Sequence, residues 1–194
     1  MIGLDELINI FSRLPGIGEK SAVRLSYFLI KNKKSALELS NVIKEVIEKV
    51  STCSICGNFT ISDPCNICRS GDRDHSILCV VEDFKDLQAI ESTGYFKGQY
   101  HILMGAINPI EGLTPAKLRI KELLNRIEKE NFSEIFIATN PTTEGEATFL
   151  YLTNMLSKYN VKISRLATGI PMGGSLEYTD KLTLSKAIQS KQYL

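Results

Sequence analysis

The apolar positions of the first fifty residues recur with the period of an α-helix. Leu4, Leu7, Ile8 and Phe11 stand at i, i+3, i+4 and i+7, and Ala22, Leu25, Phe28 and Leu29 line one face of a second segment. From about Ser35 a third segment carries Leu39, Ile43, Val46, Ile47 and Val50 on its stripe. Side chains so spaced fall on one side of a 3.6-residue helix, so three helices are expected. From Ser76 onward the pattern changes. Short continuous apolar runs, Ile77 to Val81, Tyr100 to Met104, Ile135 to Ala138 and Val161 to Leu166, alternate with longer amphipathic stretches. One such stretch is Lys117 to Glu130 with Leu118, Leu123, Leu124 and Ile127; another carries Ala147, Leu150, Leu152 and Met155. Strands buried on both faces and separated by helices predict an α/β fold with a mainly parallel sheet and flanking helices. No internal repeat and no low-complexity tract interrupts the chain.

Between these two regions lie four of the five cysteines, as Cys53-x2-Cys56-x8-Cys65-x2-Cys68. Two CxxC knuckles at this spacing fit one tetrahedral zinc ion, as in zinc ribbons, with each thiolate at roughly 2.3 Å. The segment Gly57 to Pro64 between the knuckles has turn formers at both ends and is expected to fold back as a short hairpin. The alternative is a pair of disulfides. Met1-Ile2-Gly3-Leu4-Asp5-Glu6 has neither the basic start nor the apolar core of an export signal, so a reducing cytoplasm is expected, and with it metal instead of disulfide. Four cysteines leave no open protein ligand position, which argues for a structural ion. His75 reads as a polar loop residue, and Cys79, inside an apolar strand, as core. The chain therefore divides into a helical part (1–52), a zinc module (53–75), the sheet part (76–168) and a C-terminal Gly-rich segment with a helix (169–194).

With 194 residues, 43% hydrophobic and 23% charged, the chain has the makeup of a soluble protein able to bury one real core and smaller satellites. It has no membrane-spanning run. The net charge of +1 is uninformative, but its distribution is not. Arg13, Lys20, Arg24, Lys31, Lys33 and Lys34 face only Glu19 between residues 13 and 34, a local excess of +5. That is the footprint of a phosphate-binding face. The same region contains Leu14-Pro15-Gly16-Ile17-Gly18-Glu19-Lys20, a glycine-bearing turn between two helices. Gly16 and Gly18 let a phosphate approach the main chain, and the first amides of the following helix point at it. Lys20 and Arg24, four apart, reach along one face towards neighbouring phosphates, with Arg13 beside the turn. The segment looks like a helix-hairpin-helix motif, which holds the DNA backbone without reading bases. A plain helical hairpin would use the glycines only for the turn and would not need the cations.

Glu82 follows the first strand, and Asn140-Pro141-Thr142-Thr143-Glu144-Gly145-Glu146 follows a later one. Acids at the carboxyl ends of parallel strands are where a magnesium site for phosphoryl transfer sits. The pattern resembles a Toprim domain, the fold of topoisomerases, primases and some nucleases. The matching topoisomerase segment reads Asp-Pro-Asp-Arg-Glu-Gly-Glu; here both aspartates are replaced by neutral side chains. Magnesium prefers hard anionic oxygens, which an amide and a hydroxyl replace poorly. Glu82, Glu144 and Glu146 then remain as a weak metal site, as a negative face for a protein partner, or as favourable charges in a helix's first turn. Tyr95, Tyr100 and Tyr151 read as core or surface aromatics, since the chain has no room for a topoisomerase's separate tyrosine domain.

Helix-hairpin-helix, four-cysteine module, degenerate Toprim domain and Gly-Ile-Pro-Met-Gly-Gly-Ser-Leu-Glu-Tyr-Thr-Asp at 169 to 180, in that order, resemble the RecR family of bacterial recombination proteins over nearly the whole chain. The resemblance implies a non-enzymatic recombination mediator of DNA gap repair, acting with RecO and with RecF to load RecA onto DNA coated by single-strand-binding protein. It implies a ring-shaped homotetramer built from dimers, working in the cytoplasm at the nucleoid. By position, Lys20 and Arg24 match the hairpin cations that contact DNA, Cys53, Cys56, Cys65 and Cys68 the zinc ligands, and Glu82, Glu144 and Glu146 a partner-binding face. No GxxxxGK[ST] loop is present, so the phosphate cradle for binding ATP is absent. Two other classes fit part of the pattern. One is a Toprim-type enzyme cutting or joining nucleic acid through a metal at Glu82, Glu144 and Glu146. The other is a zinc-containing protein adaptor without direct DNA contact, which the cations from Arg13 to Lys34 oppose.

Overall fold

The three helical stripes fold as α1 (Leu4–Ser12), α2 (Glu19–Lys31) and α3 (Lys33–Lys49) in a computed structural model that describes residues 3–191. Met1 and Ile2, part of the segment read for an export signal, and residues 192–194 of the C-terminal segment lie outside the described residues. Asn32 separates α2 from α3: its main-chain and side-chain N–H groups both donate to Phe28 O, at 2.9 and 2.8 Å, closing α2 where α3 begins. Of these helices only Ala22 and Ser26 are buried. The stripe expected on α3 forms but is left open, with Leu39, Ile43, Val46 and Ile47 between 42% and 74% exposed. Three helices of this length enclose too little volume to bury every apolar stripe they carry.

Two compact units make up the chain, one ending at Val50 and one beginning at Ser51. The second opens with β1 (Ser51–Thr52) and β2 (Phe59–Thr60), antiparallel partners, followed by α4 (Asn66–Arg69). A four-stranded sheet follows, built from β3 (Asp74–Val81), β4 (Gly98–Ile102), β5 (Glu134–Ala138) and β6 (Lys162–Arg165), every pair parallel, in the order β4-β3-β5-β6. The helices are α5 (Phe84–Ser92), α6 (Ile120–Lys129), α7 (Thr143–Leu156) and α8 (Lys181–Gln189). Alternation along the strands divides the core in two. Leu78, Val80, Ile135 and Ile137 pack with Leu123 and Ile127 of α6 and Leu152 and Leu156 of α7. Cys79, Val81, Tyr100, Ile102 and Ala138 pack with Leu87 of α5 on the other face. The chain thus winds both ways from β3, and the strand order reverses between the carboxyl ends of β3 and β5, where such sheets place their sites. No described helix is long and apolar enough to cross a membrane.

Several local expectations shift. The hairpin forms as Ser51↔Thr60 and Thr52↔Phe59, around the first CxxC knuckle instead of between the two. The run read from Tyr100 to Met104 is a strand from Gly98 to Ile102, because Met104, at φ 66°, leaves extended geometry. The helix expected from Lys117 begins at Ile120, behind a 3₁₀ turn over Pro115–Lys117, and its buried face is Ile120, Leu123, Arg126 and Ile127. On α7 the buried face is Gly145, Thr148, Leu152 and Leu156, while Ala147 and Leu150 face outward. His75 is not in a loop: it lies in β3, exposed, with Nδ1 at 3.4 Å from Gln99 Nε2. Tyr100 is fully buried and donates to Glu91 at 2.8 Å, Tyr95 is exposed and Tyr151 half-buried. Arg73, from the loop after the cysteines, forms an ion pair with Glu91 and donates to Gly98 O at 2.9 Å.

His101 sits in the core of β4 with Nε2 bonded to Arg119 O at 2.8 Å. Burial pushes its imidazole down to about 3, so the ring stays neutral. Its ring-carbon protons should hold a constant chemical shift in NMR spectra from about pH 8 to about pH 5, a range in which an ordinary histidine titrates. A titration midpoint inside that window would show that the strand opens to water.

Candidate functional site

The link between α1 and α2 is short and built from local bonds. Leu14 N donates to Phe11 O and Ile17 N to Leu14 O, both at 3.1 Å. Gly16, at φ 79°, takes a left-handed conformation that favours glycine. Gly18 is different: its backbone is extended (φ −79°, ψ 167°), and a Cβ there meets nothing within 4 Å. The chain's own packing does not require glycine at Gly18, so what its bareness leaves is open access to the main chain. Gly18 is the N-cap of α2 and no side chain caps it, so the first-turn amides are turned outward without a side-chain partner. Arg13, Gly16, Gly18, Lys20 and Arg24 are all exposed. Lys20 and Arg24 form no ion pair among the described residues. Backbone donors, a helix dipole and two uncompensated cations one helical turn apart make an anion-accepting surface.

The four cysteines of the second unit converge. Their sulfurs all lie within 4.8 Å of one another, with Cys53 Sγ to Cys68 Sγ at 3.9 Å and Cys56 Sγ to Cys65 Sγ at 3.6 Å. A tetrahedral ion with metal–sulfur bonds of about 2.3 Å requires sulfur–sulfur edges of about 3.8 Å, so the set is placed to hold one metal ion and fits zinc. Further bonds orient the ligands: Asn58 N donates to Cys56 Sγ at 3.4 Å and Cys65 N to Cys53 Sγ at 3.3 Å. Four thiols this close cannot all ionise without a cation. A hydrogen bond with Cys68 draws Cys56 down to about 5, whereas burial pushes Cys65 up to about 11 and the bond to Cys56 raises Cys68. Ile102 N donates to Cys56 O at 2.8 Å, which ties the first knuckle to β4. Gly57, at φ 86°, lies against Arg119, whose guanidinium occupies the space a side chain would need.

The third group lies where the sheet order reverses. Register pairs Val81 with Ala138, so Glu82 and Asn140 leave adjacent strand ends. Asn140 fills the crevice between them. Its backbone N–H donates to Glu82 Oε1 at 2.7 Å, and its Nδ2 donates to Glu82 Oε2 at 2.9 Å and to Asp86 at 3.4 Å. The amide thus does between two carboxylates what a cation would do. Glu146 is held by Arg165 through two bonds, at 3.2 and 2.8 Å, which keep its carboxyl below the usual carboxylate range. The carboxylate of Glu144, in the first turn of α7, has no hydrogen bond or ion pair among the described residues. Glu82, Glu144 and Glu146 do not form a metal-binding group among the described residues, where the four cysteines alone do so.

Asp86, Gly145 and Arg165 were not singled out from sequence, although they set this geometry. Gly145 lies so close to the crevice that a Cβ would come within 2.0 Å of Asn140 O and 2.8 Å of Glu82 Oε1. Gly145→Ala should therefore push α7 away from the strand ends and destabilise the sheet unit by about 3 kcal/mol, the upper range for overpacking. Urea unfolding followed by circular dichroism measures it; an unchanged midpoint would mean that α7 is free to shift.

Comparison with known proteins covers the helical hairpin and the sheet unit by family models, and nearly the whole chain by relatives. Residues 4–47 match the model described as RecR, helix-hairpin-helix, residues 76–167 the Toprim domain, and residues 169–192 RecR, C-terminal. Relatives described as Recombination protein RecR include those of Moorella thermoacetica, 47% identical over 98% of this chain and 96% of the relative, and Myxococcus xanthus, 47% identical over 98% of both. That of Anaeromyxobacter is 48% identical over 98% of this chain and 97% of the relative. A glycine-bearing helical hairpin, a four-cysteine cluster and a Toprim sheet, matched end to end in one order, place this chain in the RecR family of recombination proteins.

Proposed function

We propose that the chain is a non-enzymatic, DNA-binding recombination mediator that works in recombinational gap repair with RecO and RecF to load RecA. The observation that carries the reading is the α1–α2 hairpin, where Lys20 and Arg24 stand exposed, and unpaired among the described residues, beside Gly16, Gly18 and the uncapped start of α2. Such a surface suits phosphates, whose contacts carry no sequence information. Zinc is the ion proposed for Cys53, Cys56, Cys65 and Cys68, where it would fix both knuckles against each other; a closed tetrathiolate supplies no catalytic position. The acidic rim of Glu82, Glu144 and Glu146 is the proposed contact for RecO. Self-association into the family's ring is supported by the helical unit, where Leu7, Phe11, Leu29, Leu37 and Ile43 line an open apolar groove of about 650 Å³ that a second copy would cover.

The Toprim crevice separates this reading from an enzyme, because two of the three acids that would hold a metal are already engaged, Glu82 by Asn140 and Glu146 by Arg165. A time course on end-labelled gapped DNA with magnesium or manganese, resolved on a denaturing gel, should leave every strand intact. Cleavage or joining that disappears in Glu82→Ala would overturn the mediator reading and make the crevice a working metal site. A zinc-containing adaptor without DNA contact would instead show no salt-dependent retention of the same DNA in a native gel.

A further inference from the structure

Between the end of β5, the end of β6 and α8 lie two adjoining cavities, of about 310 and 100 Å³, which share Pro141, Ala167 and Thr168. The larger is also lined by Thr183 and Lys186, the smaller by Thr139 and Arg165, and neither by a carboxylate. Thr139, Thr168 and Lys186 are half-buried, and their side chains have no hydrogen-bond partner among the described residues. The main-chain N–H of Thr183 donates to Asp180 at 2.9 Å in the N-cap of α8. Arg165 is fixed at the far wall by its two bonds to Glu146 and by the Phe149 ring, 4.2 Å from its guanidinium carbon. Glu146 is held by that pair, and Lys186 only adds a through-space attraction to the same carboxylate, with no hydrogen bond or ion pair of its own among the described residues.

An ammonium and two hydroxyl donors, with a guanidinium held on Glu146 at the far wall, around a pocket whose lining includes no acid are a donor set for an anion with several acceptor oxygens. The larger volume falls at the lower end of small-ligand pockets, and the position is the carboxyl end of a parallel sheet, where such folds bind ligands. We propose that this cavity binds a phosphate oxyanion, with Lys186 as counter-charge and Thr139 and Thr168 as hydroxyl donors. No glycine-rich loop is involved; side chains from three segments do the work. The oxyanion has two sources, the phosphates of a nucleotide or the terminal phosphate of a DNA strand. The site lies in the sheet unit and does not depend on the DNA surface of the helical unit.

Isothermal titration calorimetry with sodium pyrophosphate at low chloride tests it, on the full zinc-loaded chain carrying Lys20→Ala and Arg24→Ala so that the helical cations do not contribute. One saturable site per chain is expected, weakened about tenfold or more by Lys186→Ala, as for loss of a charged hydrogen-bond partner. Thr168→Val, which leaves the charge and volume nearly intact, should give a smaller loss with unchanged thermal unfolding. ATP competing with pyrophosphate in a Lys186-dependent way would identify a nucleotide. Tighter binding of a short 5′-phosphorylated oligonucleotide than of its unphosphorylated twin, again lost in Lys186→Ala, would identify a strand end. Absence of saturable pyrophosphate binding, or binding that neither substitution changes, would overturn the proposal.

Discussion

Lys20→Ala combined with Arg24→Ala should weaken duplex DNA binding by roughly 60-fold at 0.1 M monovalent salt if each cation neutralises one phosphate. The same exchange should lower the slope of log affinity against log salt by about 1.8, since each neutralised phosphate contributes about 0.9 on duplex DNA; on single strands it should fall by about 1.4. The number follows from what the two side chains lack. Neither is paired among the described residues, so neither spends its charge on a carboxylate there, and their removal leaves no buried acid of those residues without a partner. Both lie on the exposed side of α2, opposite Ala22 and Ser26, so helix content, zinc content and oligomeric state should not change. Fluorescence anisotropy across a salt series, with sedimentation as a control, reads both quantities. Equal affinity of variant and wild type at 0.1 M would sink the assignment. Lower affinity with an unchanged salt slope would show that the substitutions act through structure and not through phosphates. The affinity that remains should be nearly blind to sequence, because backbone contacts carry no base information.

How far such a surface is legible in sequence depends on how local its determinants are. The helical stripes, the four cysteines and the glycines of the α1–α2 turn are fixed by neighbours a few residues away, and period or spacing reveals them. α5 escaped, because only Leu87 among its residues is buried; its signal was the capping box of Asp83 and Asp86, a polar cue in place of an apolar one. The α7 face was misassigned because its buried stripe runs through Gly145 and Thr148, a glycine and a hydroxyl. Thr148 is buried by bonding, not by hydrophobicity: it donates to Glu144 O at 2.7 Å and accepts from Ile107 N at 2.8 Å. The crevice was the least legible part. Glu82 and Asn140 are brought together across 58 positions by the pairing of β3 with β5, and Glu146 meets Arg165 only once β6 joins the sheet. The replacement of an aspartate by Asn140 was visible in the sequence, but that its amide fills the cation's place was not.

Loss of the zinc ion proposed for the four cysteines should be the most damaging change of all, and its effect should fall on the sheet unit. Cys53→Ser removes a fully buried ligand whose sulfur also accepts from Cys65 N, so both knuckles lose their common anchor. Structural zinc binding is worth about 10–16 kcal/mol in small tetrathiolate and related sites, comparable with the about 5–15 kcal/mol of net stability of a whole domain. The loss cannot stay local, because the knuckles share contacts with the sheet. Ile102 N of β4 donates to Cys56 O, Ile67 packs against both the cysteines and the α5 side of the core, and the Phe59 ring lies 5.2 Å from that of Phe84 at the start of α5. Thermal unfolding of Cys53→Ser should therefore begin well below that of wild type, with little zinc by atomic absorption and with the protein aggregating or failing to assemble. Chelation of the wild-type protein should reproduce this, and adding zinc should reverse it. The proposed DNA surface lies on α1 and α2, in the other compact unit, so weaker DNA binding in this variant should track the unfolded or unassembled fraction instead of a changed salt slope. A Cys53→Ser protein that is zinc-free, assembled and as heat-stable as wild type would show that the cysteine cluster holds nothing the fold needs.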